Sequence, residues 1–179
     1  MKTYISADLH LNHKKIIDYC PATRSHFTDH IEMTESIIAN WNNTVAPDDE
    51  VWILGDVSMG HPDMMHVYIP RLNGTKRLIA GNHDTKILSD EKLQSYFASI
   101  EHYKELTVSI NGQEIVVCMS HRPMNHWHKK QSGSIMLHGH CHAIPTNIPG
   151  RIKDIGLDTN NMQLYVFEDI VAEVAKLPI

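Results

Sequence analysis

Cysteine is scarce in this chain: three residues in 179, Cys20, Cys118 and Cys141, widely spaced and without a Cys-x-x-Cys pair. That spacing excludes a disulfide framework and a thiolate zinc knot, and it points to a reducing compartment. No run of about 18 apolar residues occurs, and no charged-then-apolar amino terminus, so neither a membrane span, a membrane partner nor a secretory signal is expected and the expected location is cytoplasmic. Positive charge is also in short supply. The net charge of −5 argues against a protein that wraps long nucleic acid, while leaving a nucleotide or a short end open. No repeat, low-complexity tract or linker divides the sequence, and its length and 42% hydrophobic content predict one domain over residues 1-179 with a real core.

What the chain has in abundance is histidine, 14 residues, and much of it follows short apolar runs. Tyr4-Ile5-Ser6-Ala7, Val51-Trp52-Ile53-Leu54, Leu78-Ile79-Ala80, Ile115-Val116-Val117-Cys118-Met119 and Ile135-Met136-Leu137 read as buried strands. Each ends in polar cargo: Asp8 and His10, Gly55 and Asp56, Gly81 through Asp84, His121, and His138 through His142. In open α/β sheets the site lies beyond the carboxyl ends of the strands, so five such ends can converge on one cleft. Imidazole, carboxylate and amide oxygen together suit Mn, Fe, Zn, Co or Ni better than Ca or Mg. The set is too large for one ion of four to six donors and about right for two. Two ions need a shared ligand, and Asp56, central in the order of motifs, is the candidate bridge.

The succession Asp8-x-His10, Gly55-Asp56, Gly81-Asn82-His83-Asp84, His121 and Gly139-His140-Cys141-His142 resembles the calcineurin-like metallophosphoesterase superfamily, whose blocks occur in this order. The resemblance covers about three quarters of the chain and is specific because five separated motifs must match at once. It implies a four-layer α/β/β/α sandwich with mixed sheets. It also implies that Asp8, His10 and His142 hold one divalent metal ion, that Asn82, His121 and His140 hold the other, and that Asp56 bridges them. Manganese is the first expectation, with Fe, Zn, Ni or Co as alternatives. His83 is then not a ligand but the proton donor to the leaving oxygen, with Asp84 as its orienting partner. A two-metal site about 3.5–4 Å across holds a bridging hydroxide for in-line attack at phosphorus, so no side-chain nucleophile is needed.

Gly55-Asp56 continues as Val57-Ser58-Met59-Gly60, which departs from the Gly-Asp-x-Val-Asp-Arg-Gly block of the family's serine/threonine protein phosphatases. The chain resembles instead the small single-domain phosphoesterases of bacteria and phage. A small phosphodiester, phosphomonoester or nucleotide is the implied substrate, with a diesterase favoured. A non-catalytic interaction module on the same scaffold, and a nuclease acting on short nucleic-acid ends, are the alternatives. Asn12, His13, Arg122 and His126 are candidate substrate-binding residues, Arg122 because a guanidinium clamps phosphate at two points. Trp127 either stacks on a base or packs in the core, Arg24 is open, and Cys141 reads as a small filler between two ligands.

Between the strand ends, Asp29 with Glu32 three residues on starts a long helix carrying Ile31, Thr34, Ile38, Trp41 and Val45 on one face. Further helices are expected over 62–70, over 89–98 with Ser89 as cap, and over 168–176. Leu106, Val108 and Ile110 before Asn111-Gly112 predict a hairpin, and 152–157 with 162–167 a further strand pair.

Overall fold

The computed structural model describes residues 1–110 and 112–179. Its first sheet has the order β4-β3-β2-β1-β9, from β1 (Thr3–Ser6), β2 (Glu50–Ile53), β3 (Thr75–Ile79), β4 (Ser99–Glu101) and β9 (Tyr165–Val166). Four of these strands run parallel and β9 runs antiparallel to β1. The second sheet is β5 (Tyr103–Ile110), β6 (Gln113–Ser120), β7 (Ile135–His138) and β8 (Ile152–Asp154), in that order. An antiparallel β5–β6 hairpin opens it and the rest is parallel.

The sheets pack face to face. Ile5, Trp52, Leu54 and Ile79 from the first meet Val117, Met119, Ile135 and Leu137 from the second in one apolar cluster. This explains why β1, β2 and β7 are apolar runs rather than alternating ones, since both faces of a central strand are covered. On the outer face of the first sheet lies α3 (His30–Thr44), whose Met33, Ile37, Ile38 and Trp41 are buried. The Asp29 carboxylate accepts from the Ile31 and Glu32 amides at 2.8 and 2.9 Å, the expected helix start. The outer face of the second sheet, with Cys118 and Met136, is covered by Trp127. The result is the layered α/β/β/α sandwich with mixed sheets, thin on its last side, where a loop and a 3-10 turn at Lys130–Ser132 replace a long helix.

Several local expectations change. The helix expected over 89–98 is a single turn, α6 (Glu91–Gln94), capped by Asp90 and not Ser89, and a separate turn, α5 (Thr85–Leu88), precedes it. The segments 152–157 and 162–167 are not partners: β8 extends the second sheet, whereas β9 closes the first. The helix α4 (Pro62–Tyr68) runs on into a 3-10 turn, and α7 (Phe167–Val174) stands where 168–176 was expected. The hairpin is present, but Asn111 of its turn lies outside the described residues. Short helices α1 (Ile16–Tyr19) and α2 (Pro21–Arg24) follow the first block. Among the described residues no helix is long and apolar enough to cross a membrane.

Candidate metal centre

The loops after β1, β2, β3, β6 and β7 meet at one rim. The Asp8 amide donates to the Gly55 carbonyl at 3.0 Å, the Gly139 amide to the His121 carbonyl at 2.9 Å, and the His140 amide to Asp8 Oδ2 at 2.8 Å. The approach is close enough to require glycine. A Cβ on Gly139 would meet Ala7 Cβ at 2.5 Å, and one on Gly55, whose φ is +83°, would meet His121 Nδ1 at 2.5 Å. Five of the seven expected ligands, Asp8, His10, Asp56, His140 and His142, have φ between +47° and +70°. Non-glycine residues adopt that region at an energetic cost, and such strain collects at functional sites.

Potential donor atoms of Asp8, His10 and His142 lie within 4.8 Å of one another, and those of Asp56, His121 and His140 form a second such group. Asp56 stands between them, its Oδ2 3.6 Å from His10 Nε2 and its Oδ1 3.5 Å from His121 Nε2. Asn82 Oδ1 lies 3.0 Å from His121 Nε2.

The protein's own hydrogen bonds aim these rings. His121 Nδ1 donates to the Leu54 carbonyl at 2.8 Å, which directs its Nε2 at the Asn82 oxygen. In the neutral ring that nitrogen is an acceptor, and two acceptors at hydrogen-bond distance are unfavourable without a cation or a proton between them. On the other side, His142 Nδ1 donates to Asp158 Oδ2 at 2.8 Å, freeing its Nε2. Asp8 Oδ1 and His10 Nε2 are buried with no hydrogen-bond partner, and unpartnered buried polar atoms are costly. The residues present therefore fit two divalent cations: the orphaned atoms, the facing acceptors and the mixed nitrogen and oxygen donors all point the same way.

Titration behaviour follows from burial. Burial raises the Asp8 carboxyl well above its ordinary range, against the pull of His142, and pushes the His10 imidazole well down, with Arg24 and His142 adding to the effect. His140 is lowered by burial and by His121. Burial alone would lower His142, but its hydrogen bonds to Asp158 and Cys20 and the charge of Asp8 hold it up at about 10. A cation at that position competes with a proton.

His83 borders the same cleft, its amide donating to Asp56 Oδ1 at 2.9 Å and its Nε2 3.9 Å from Asp56 Oδ2. Asp84 does not face it. The buried Asp84 carboxylate instead accepts from the backbone amides of Asp56, Val57 and Gly81 at 2.8–2.9 Å. It clamps the second and third loops together rather than orienting the His83 ring, because the tight turn at Gly81 leaves three amides converging on one carboxylate.

Of the substrate candidates, His13 reaches the cleft, with Nδ1 3.1 Å from His10 Nδ1; burial, then His83 and Arg24, push it down to about 4. Arg122 is exposed and donates to Asn82 Oδ1 at 3.2 Å. Asn12 sits with φ +59° beside Gly60, its amide donating to Thr34 Oγ1 at 2.8 Å. His126 is exposed and lines neither cavity of the cleft, because the Trp127 anchor turns the loop outward; Trp127 is core, its Nε1 donating to the Ser134 carbonyl at 3.3 Å. Cys141 lies within 4.8 Å of donor atoms of His138 and Asp154 rather than with the two groups above.

Asp158 has no local motif and was not legible as part of the site. It is tied to Arg24 through Nε at 2.9 Å and Nη2 at 2.7 Å, and the same Nη2 donates to the Asp8 carbonyl at 2.7 Å. Arg24 thus fixes both the backbone of one expected ligand and the carboxylate that aims another.

Fold and site together define an α/β sandwich protein with a histidine- and carboxylate-lined cleft suited to divalent cations. No family model matches the chain. It is 33% identical over 144 residues to the uncharacterized protein MJ1445 of Methanocaldococcus jannaschii, spanning 79% of this chain and 70% of that one, and it belongs to the same family. The Gene 66 protein of Mycobacterium phage L5 is 28% identical over 183 residues, 87% of this chain and 86% of the phage protein. The crystal structure of AQ665 from Aquifex aeolicus, a protein of unknown function, has the same fold with a TM-score of 0.71, at 21% identity over 94% of this chain and 97% of that one.

Proposed function

We propose that the chain is a dinuclear metal-dependent phosphoesterase acting on a small phosphate ester or nucleotide, with diesters preferred. The observation that carries this reading is the Asp56 carboxylate set between His10 Nε2 and His121 Nε2 at 3.6 and 3.5 Å, where it groups with His121 and His140 and faces the group of Asp8, His10 and His142. Asp8, His10 and His142 would hold one ion, Asn82, His121 and His140 the other, and Asp56 both. A bound pair supplies Lewis acidity and an activated water for displacement at phosphorus.

The remaining work belongs to side chains. His83, half-exposed at the rim and anchored through its amide to Asp56, is placed to give a proton to a departing oxygen. Arg122 offers a guanidinium to a phosphate oxygen beside Asn82. The left-handed backbone at five of the seven expected ligands is strain of the kind that clusters at active sites, and it favours an enzyme over a non-catalytic module. The test is hydrolysis of bis-p-nitrophenyl phosphate by metal-free protein reloaded with Mn, Zn, Co or Ni. Turnover with a transition metal supports the reading, and no turnover of any phosphate ester with any of them refutes it.

A further inference from the structure

The cleft has two arms. One cavity, about 420 Å³, opens beside Asn82 and His121 and carries Arg122, Tyr103 and Met124 on its walls. The other, about 620 Å³, opens beside His10 and His142, with His13 and His83 at its polar end and Ile16, Tyr19, Met59 and Ile144 as walls. The first arm borders the second donor group through His121; the other borders the first group through His10 and His142 and also takes in His140 of the second, with Asp56 between His10 and His121. Tyr19 is 66% exposed and Ile144 71% exposed. The only ring stacked near Tyr19 among the described residues is His13, edge-on at 6.3 Å, so the tyrosine face is free.

From this geometry we infer that the site is built for a phosphodiester with two substituents, one in each arm, and that the arm beside His83 takes a planar aromatic group, of which a nucleobase is the biological form. The inference rests on the phosphoesterase reading for its direction: the group beside the proton donor is the one that leaves. A phosphorus placed over Asp56 has two ester oxygens that diverge at a tetrahedral angle, so each can lead into a different arm. A monoester fills one arm and leaves the other to water. Arg122 serves the retained side, where its charge meets a phosphate oxygen. The apolar wall of Tyr19, Ile144 and Met59 serves the leaving side, where a flat ring gains by stacking and by desolvation.

The test measures binding and turnover separately. Calorimetry on the metal-loaded chain compares two non-hydrolysable monoanions, diphenylphosphinate and methylphenylphosphinate, in the wild type and in Tyr19→Ala and Ile144→Ala; both positions are exposed enough for the fold to be kept. The diaryl anion is expected to bind about tenfold more tightly than the monoaryl one, and Tyr19→Ala to lose about tenfold in that affinity with metal content unchanged. In turnover of bis-p-nitrophenyl phosphate, the same loss is expected in KM rather than kcat. Equal binding of both anions, or variants that bind and turn over as the wild type does, would overturn the two-arm inference while leaving the hydrolase intact. Diaryl-selective binding through Tyr19 without hydrolysis of any ester would uphold the arms and refute the hydrolase reading.

Discussion

Arg24 and Asp158, 134 residues apart in sequence, form a fully buried two-point ion pair, Nε to Oδ1 at 2.9 Å and Nη2 to Oδ2 at 2.7 Å. Asp158 is held below the usual carboxylate range: burial opposes this, but hydrogen bonds from His142 and Arg24, the Arg24 charge and the Thr23 hydroxyl outweigh it. Its free capacity is spent on His142. The pair is therefore a structural support of the donor group formed by Asp8, His10 and His142.

Arg24→Met leaves that carboxylate buried without its counter-charge, and a loss of about 3–5 kcal/mol is expected, read from urea unfolding. Asp158→Asn keeps the volume but leaves the fully buried Arg24 guanidinium without its counter-charge, so a loss of similar size is expected. The same variant should weaken metal binding at the His142 side by roughly 10–100-fold, measured by competitive chelator titration.

Asp84 separates two accounts of the third block. If it clamps backbone, Asp84→Ala orphans the amides of Asp56, Val57 and Gly81 and costs on the order of 1–3 kcal/mol for each donor left buried, while the pH–rate profile keeps its shape. A shifted alkaline limb, where a proton donor is lost, with unchanged stability would restore the orienting role for His83 that the sequence suggests.

Helix α3 depends on its cap in a pH-dependent way. The Asp29 carboxyl is lowered by the Glu32 and Ile31 amides. Its depressed folded-state value means that the contribution is present above the unfolded pKa, about 3.9, and is lost as pH falls through the folded one. The Tm gap between wild type and Asp29→Ala should therefore be largest near neutrality and narrow as pH is taken toward 3.

Much of this site is legible in the sequence, for a physical reason. A strand covered on both faces must be apolar, so β1, β2, β3, β6 and β7 stand out as runs, and whatever follows them falls at one rim. The α3 start is legible because Asp29 and Glu32 are local. Arg24 with Asp158 is not, because an ion pair across 134 residues has no period or spacing to read. The same holds for β9, two residues long and paired with β1 far from its neighbours in sequence. The helix expected at 89–98 starts one residue late, at the Asp90 cap that accepts from the Lys92 and Leu93 amides, and it stops after one turn at Ser95, whose hydroxyl donates to the Lys92 carbonyl.

Cation binding should stabilise the fold, since Asp8 Oδ1 and His10 Nε2 are buried without partners. At 100 times Kd one site adds about 2.7 kcal/mol, which for a chain of this length is a rise in Tm of roughly 5–11 °C. Scanning calorimetry with Mn and with a chelator measures it.

His83→Ala should lose about 10²–10⁴ in kcat, the usual worth of a general acid, while two ions per chain remain by elemental analysis. Loss of an ion in that variant would make His83 a ligand instead.

The central claim is that Asp56 joins two metal sites, and metal stoichiometry tests it without reference to any substrate. Elemental analysis of Mn-loaded protein after equilibrium dialysis should give two ions per chain in the wild type and fewer than one in Asp56→Asn, with both sites weakened together. One ion or none in the wild type, or two retained tightly by Asp56→Asn, would contradict it.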